Sequence, residues 1–137
     1  AGASFSLALG NRVARRIPVK NPDASEEFRL FEGEANLYVW CTWRLETEEL
    51  VLGSSDQDTE VAAECIRKIA GRTLDSIIVA AAAGDLILGF GEYILRVFCD
   101  HVEPDPSYET NWELFFDRRI LSIGPGLTMS EEADPRV

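Results

Sequence analysis

The single histidine, His101, is the side chain best suited to acid–base or metal chemistry, and Asp100 and Glu103 lie beside it. A histidine among carboxylates can bind a metal ion or exchange protons near neutral pH. A structural zinc site, however, normally takes four spaced cysteine and histidine ligands, and the cysteines of this chain fall within predicted strands or a predicted helix. The pattern therefore predicts a solvated acidic loop at residues 100–111, with a metal or small-ligand site near that loop as an alternative.

The three cysteines, Cys41, Cys65 and Cys99, form neither a CxxC pair nor an even disulfide framework. Cysteine is among the most buried residue types, so these are interpreted as core thiols in a reducing compartment, which predicts a cytoplasmic protein. Nucleophilic catalysis would need one of them beside His101. Cys99 is only two residues away, but its strand is expected to end there. No catalytic residue, bound metal or cofactor is predicted, and the chain is interpreted as a non-enzymatic protein.

The charge of the chain points to the class of partner. Thirteen basic and twenty-four acidic residues give a formal net charge of −11. This charge repels nucleic-acid phosphates and anionic membrane surfaces, and no apolar segment approaches the roughly 18 residues that a membrane span needs. We therefore expect neither nucleic acid nor a membrane as partner, whereas a basic protein would fit.

The elements that position these residues come from a diverged internal repeat. Residues 28–41 match residues 86–99 without a gap, and a tryptophan follows each copy. Apolar residues alternate with period two in both copies, which is typical of strands with one face in the core. Gly33 with Glu34, and Gly91 with Glu92, are predicted to form the hairpin turns. The predicted fold is α+β, mostly β, with two pseudo-repeated antiparallel four-stranded units.

Residues 56–70 join the two copies, and apolar residues recur there at helical spacing. This spacing predicts one amphipathic helix that connects repeat one (residues 5–54) to repeat two (residues 71–128). Residues 1–128 are thus predicted to form a single domain. Residues 129–137 contain too little apolar surface to pack and are predicted to be a flexible tail.

The candidate partner-binding residues are the acidic side chains of two segments and one aromatic residue. Trp40 alternates away from Val39 and Cys41, so it is a candidate contact residue beside Tyr38, with burial under the helix as the alternative. The complete set is Trp40, Asp56, Asp58, Glu60, Glu64, Asp100, His101, Glu103, Asp105 and Glu109.

Residues 37–45, followed by residues 50–56, resemble a signature of small uncharacterised bacterial proteins. In that signature a strand that ends in Cys-x-Trp-Arg precedes a Gly-Ser-x-Asp turn, as Cys41 to Arg44 and Gly53 to Asp56 do here. The resemblance covers most of the chain and implies no enzymatic role. Some similar β-rich proteins occur in bacterial polymorphic-toxin loci as immunity proteins, which implies a toxin partner.

The favoured hypothesis is therefore a non-enzymatic bacterial immunity protein whose acidic loops bind and neutralise a basic toxin domain. Two alternatives remain open. One is a small-ligand or metal-binding domain with its site near residues 100–111. The other is a homo-oligomeric structural protein, a homodimer for example, joined through unpaired sheet edges.

Overall fold

A computed structural model of the protein describes residues 4–80, 82–104 and 110–135. The fold is α+β and mostly β, as the alternating sequence pattern predicts. In chain order the elements are β1 (Phe5–Ala14), α1 (Glu26–Leu30), β2 (Phe31–Val39), β3 (Thr42–Glu46), β4 (Val51–Ser54), α2 (Thr59–Ile66), β5 (Ser76–Val79), β6 (Leu86–Phe90), β7 (Tyr93–Phe98), β8 (Trp112–Phe116), β9 (Arg119–Ile123) and β10 (Met129–Ala133). A 3-10 turn, Arg67–Ile69, extends α2.

The strands form two antiparallel five-stranded sheets that draw on both halves of the sequence. Sheet A has the order β1-β2-β8-β9-β10, and sheet B has the order β4-β3-β7-β6-β5. The prediction of two separate four-stranded units is therefore wrong. The chain passes from sheet A to sheet B after β2 and returns after β7, so each sheet pairs one part of the first half with one part of the second.

Strands from the two halves of the sequence pair in the same register in both sheets. Val39 pairs with Trp112 in sheet A, and Val97 pairs with Trp43 in sheet B. Val39 and Val97, like the two tryptophans, hold matching places in the sequence repeat. The second half of the predicted repeat, from β2 and β7 onward, therefore has equivalent positions in the two sheets.

The first half of the predicted repeat is different. Phe28 lies in α1, and Gly33 and Glu34 lie inside β2, so they do not form the predicted turn. A side chain at Gly33 would place a Cβ atom 2.5 Å from the backbone N and O of Leu9. Glycine is thus required here because β1 approaches closely at its bulge between Leu9 and Arg12. Gly91, by contrast, has a φ of +69° and does form a two-residue turn with Glu92.

The core lies between the two sheets and continues under α2. Trp43 and Trp112 are both 1% exposed, which confirms that the paired tryptophans are core residues. The ring of Phe5 on sheet A meets the Trp43 ring edge-on, with the centroids 5.5 Å apart. Burial of such large apolar side chains supplies most of the favourable free energy of folding. All three cysteines are buried, as predicted.

The helix predicted at residues 56–70 is present, and it packs against β4. Ala62, Cys65 and Ile69 are buried as the spacing predicts, but Val61 is half exposed because it faces away from the strand. A Cβ atom at Gly53 of β4 would lie 2.6 Å from the Cys65 sulfur. The absence of a side chain at Gly53 therefore lets the helix approach the sheet.

The prediction of a flexible tail at residues 129–137 is wrong for its first part. Residues 129–133 form β10, which pairs with β9 from Met129 with Ile123 to Ala133 with Arg119. Ser130 also exchanges a hydrogen bond of 2.9 Å with Ser122. Backbone pairing orders this segment without a large apolar surface, which a prediction from apolar content alone misses.

Candidate protein-binding surface at the crossover segments

The two segments in which the chain changes sheets lie against each other, and Asn111 joins them. Its backbone carbonyl accepts hydrogen bonds from the N–H groups of Trp40, at 2.9 Å, and Cys41, at 3.3 Å. Its side chain is 0% exposed and binds both backbone groups of His101, accepting from the N–H at 2.8 Å and donating to the carbonyl at 3.2 Å. The residues between β7 and β8 are thereby held to those between β2 and β3.

Thr42, the first residue of β3, connects this junction to the acidic segment that follows β7. Its backbone N–H donates to Asp100 at 3.3 Å, and its hydroxyl donates to the other oxygen of the same carboxylate. The imidazole of His101 lies 3.9 Å from the Asp100 carboxylate and is 18% exposed. Asp100 therefore has a fixed position at the end of sheet B.

The second acidic segment reaches the same place from the other side of β3. The Ser55 N–H donates to the Trp43 carbonyl, and the Ser55 hydroxyl accepts from the Trp43 N–H, each at 3.0 Å. Asp56 follows Ser55, and Ser55 is bonded to Trp43, the residue next to Thr42. We name the two segments together the acidic end, and their exposed acids are Asp56, Asp58 and Glu60 in one segment and Asp100 and Glu103 in the other.

All five carboxylates of the acidic end belong to exposed residues. Among the residues that the structure describes, Asp56, Asp58 and Glu60 form no ion pair with a basic side chain. Glu64, a predicted partner-binding residue, is exposed but forms an ion pair with Arg67 in the 3-10 turn that follows. Asp105 and Glu109, the other two predicted acids, lie outside the described residues.

Trp40 precedes the crossover and is half-buried. Its ring stacks on the ring of Tyr38 with the centroids 6.1 Å apart and an angle of 17° between the planes. Tyr38 in turn meets Phe115 edge-on at 5.5 Å. Trp40 thus belongs to an aromatic group on sheet A beside the crossover, and part of its surface is available for contact.

Two grooves on the described surface lie away from the loop predicted to hold a small ligand. The grooves, of about 310 and 320 Å³, flank the ion pair between Arg15 and Glu32 on sheet A, and neither is lined by residues of the 100–111 segment. Within residues 4–80, 82–104 and 110–135, no three histidine, cysteine, aspartate or glutamate side chains are grouped closely enough to hold a metal ion.

Sequence reasoning missed the residues that build the acidic end. Asn111 and Thr42 were not singled out, although each fixes one of the crossover segments. A buried asparagine directly before a core tryptophan is a weak signal, because its partners are backbone groups that no side-chain pattern reveals.

The helices in the described part of the chain are all too short or too polar to cross a membrane.

Comparisons with protein-family models, with curated proteins and with solved structures found no match for this chain. Its function is therefore inferred from its own residues and their geometry.

Proposed function

We propose that this protein is a non-enzymatic binding domain that engages a basic protein partner through its acidic end, as an immunity protein engages a toxin. The observation that supports this proposal is the convergence of two acidic segments, one from each half of the chain, on either side of Thr42. The exposed carboxylates of these two segments create a negative potential that attracts a basic protein and speeds its association.

Three acids of this surface form no ion pair within the described part of the chain, which also supports a binding role. A solvated acidic surface that served folding alone would gain from neighbouring cations, yet Asp56, Asp58 and Glu60 form no ion pair among the described residues. Their charges remain available to lysine and arginine side chains of another protein. Trp40, half-buried near the same crossover, adds an aromatic contact of the kind that often contributes most to binding free energy.

The test is capture of the partner by the tagged full-length chain from its own cells, followed by binding measurements with the purified partner. The test variant carries Asp56→Asn, Asp58→Asn and Glu103→Gln. Asp58 precedes α2 but makes no side-chain capping bond, so its neutralisation leaves the helix start intact. The control variant carries Glu48→Gln and Glu49→Gln, which neutralises exposed residues in the turn at the opposite end of β3.

We expect one basic partner whose association rate falls about tenfold in the test variant and changes less than about twofold in the control. The wild-type rate should also fall as salt rises from about 50 to about 300 mM, because salt screens exposed charges. Equal rates for both variants would overturn the assignment of the surface. Failure to recover any basic partner at low salt would overturn the proposed function itself.

A further inference from the structure

Strand β5 forms one edge of sheet B, and its apolar side chains are unusually exposed. Ile77, Ile78 and Val79 are 50%, 55% and 41% exposed. Ile77 and Val79 pair with the buried Leu88 and Leu86, so they lie on the core side of the sheet, whereas Ile78 lies on the other face beside Ile87. Both faces of this edge therefore present apolar surface to solvent.

The other three sheet edges in the described part of the chain carry protection that β5 lacks. Strand β1 has a bulge between Leu9 and Arg12, β10 carries Glu131 and Glu132, and β4 packs against α2. Bulges, charges and covering helices are the usual devices that prevent a sheet edge from pairing with another chain. Strand β5 has no charged residue and no bulge, so its edge is suited to such pairing.

We propose that β5 is a homodimer interface, in which two copies of this chain pair their β5 strands antiparallel across a twofold axis. The inference is independent of the proposed function. Because a twofold axis perpendicular to the sheet keeps equivalent faces together, Ile78 lies opposite Ile78 of the second copy and Ile77 lies opposite Val79. The apolar side chains then meet on both faces, and two five-stranded sheets become one continuous sheet.

The backbone of β5 fits this register. The Ala80 N–H donates to the Asp85 carbonyl at 2.8 Å, and these two residues continue the ladder in which Val79 pairs with Leu86. Bonding groups alternate along an antiparallel strand, so the N–H and C=O groups of Ile77 and Val79 point away from β6. Pairing Ile77 with Val79 of the second copy forms about four hydrogen bonds with groups that otherwise face solvent.

The distribution of charge favours a second copy over the basic partner proposed above. The acidic end lies beside β4 and β3, at the opposite edge of sheet B, whereas β5 itself carries no charged side chain. An uncharged apolar edge does not attract a basic protein but matches a second copy of itself, and the two acidic ends remain far apart in such a dimer.

The test is sedimentation equilibrium of the full chain, with Ile78→Lys as the test variant and Val51→Lys as the control. Val51 is a 64% exposed residue on the other edge of the same sheet, so the control adds the same charge to a comparable site. We expect a wild-type dimer whose dissociation constant rises at least about tenfold in the test variant, because two lysines then face each other, and about twofold or less in the control.

A second variant protects the test against a folding defect. Circular dichroism and thermal unfolding establish whether Ile78→Lys is folded. If it is not, Ile77→Pro removes only an N–H that points away from β6, which an edge strand tolerates, and it should dissociate the dimer in the same way. A wild-type chain that stays monomeric up to about 1 mM, or a dimer that only Val51→Lys dissociates, would overturn the proposal.

Discussion

Arg44 and Arg96 lie directly opposite each other in the ladder between β3 and β7. Like charges in this position normally repel, so the pair requires an anion. Glu46 supplies it, because its two carboxylate oxygens accept from Arg44 at 2.8 Å and from Arg96 at 2.6 Å. These hydrogen bonds, that from Arg96 above all, lower the pKa of Glu46 below its ordinary value of 4.5. Removal of this carboxylate should therefore destabilise sheet B.

Glu46→Gln is expected to lower the free energy of unfolding by about 1–2 kcal/mol at pH 7, because the two guanidinium groups lose their shared anion. A lowered pKa contributes stability in full above the pKa of the unfolded chain and loses it as pH falls through the pKa of the folded state. The difference in melting temperature between wild type and Glu46→Gln should therefore shrink as pH falls from 7 to below the lowered pKa.

Glu48→Gln is the control for this prediction, because Glu48 is exposed in the same hairpin and forms no ion pair among the described residues. Its melting temperature should follow that of the wild type throughout the titration. A difference for Glu46→Gln that stays constant with pH would show that the bridge is not the source of the effect.

The strands that carry Leu37 and Val39, or Leu95 and Val97, could be predicted because their alternation has only one buried face. The pairing of these strands could not be predicted in the same way. Alternation is equally compatible with partners inside one copy and partners in the other copy. The partners are set by the point after β2 at which the chain crosses from sheet A into sheet B.

The candidate site was predicted as residues but not as a surface. Exposed acids such as Asp56 and Asp100 are visible in composition, whereas their convergence depends on the hydrogen bonds of Thr42 and Ser55. Gly33 shows the same limit for the fold. The sequence indicates that a glycine is required there, but a turn and a close approach of two strands demand the same residue.

Cys41 and Cys99 continue the ladder of β3 and β7 by one position beyond the pair formed by Thr42 and Phe98. Their Cα atoms should thus be about 4.5–5.5 Å apart, which a disulfide can bridge. The Cys41 thiol donates a hydrogen bond to Cys99, which lowers the pKa of Cys99, whereas that bond and burial raise the pKa of Cys41.

Oxidised glutathione should therefore form an intramolecular disulfide between Cys41 and Cys99, releasing two molecules of reduced glutathione, over hours because both thiols are buried. Peptide mapping without reduction identifies the bond. The Cys65→Ser variant should form it as the wild type does, since Cys65 packs against Gly53. A disulfide that includes Cys65, or none at all, would contradict this geometry.

Asn111→Ala is expected to lower the free energy of unfolding by about 2–4 kcal/mol, because the backbone groups that its side chain bonds then lose their buried partner. Besides His101, the side chain donates to the Gly124 carbonyl at 3.2 Å. Urea unfolding measures the change. Thr110→Ala, one residue earlier, removes only a hydroxyl 3.5 Å from Glu113 and should cost no more than about 0.5 kcal/mol. Equal costs at the two positions would contradict the role of Asn111.

Removal of residues 129–137 is expected to destabilise the protein, although the low apolar content of this segment predicts a dispensable tail. The truncation removes β10 and exposes the edge of β9, including Ile120 and Ser122, which are now 6% and 8% exposed. We expect a loss of about 1–3 kcal/mol and concentration-dependent aggregation, because an unprotected edge with an apolar residue pairs with other chains. Thermal unfolding and light scattering of the shortened chain measure both effects.

A chain that lacks only residues 136–137 is the control and should behave as the full chain does. If the chain of residues 1–128 is as stable and as soluble as the full chain, β10 contributes nothing to the fold beyond its own pairing.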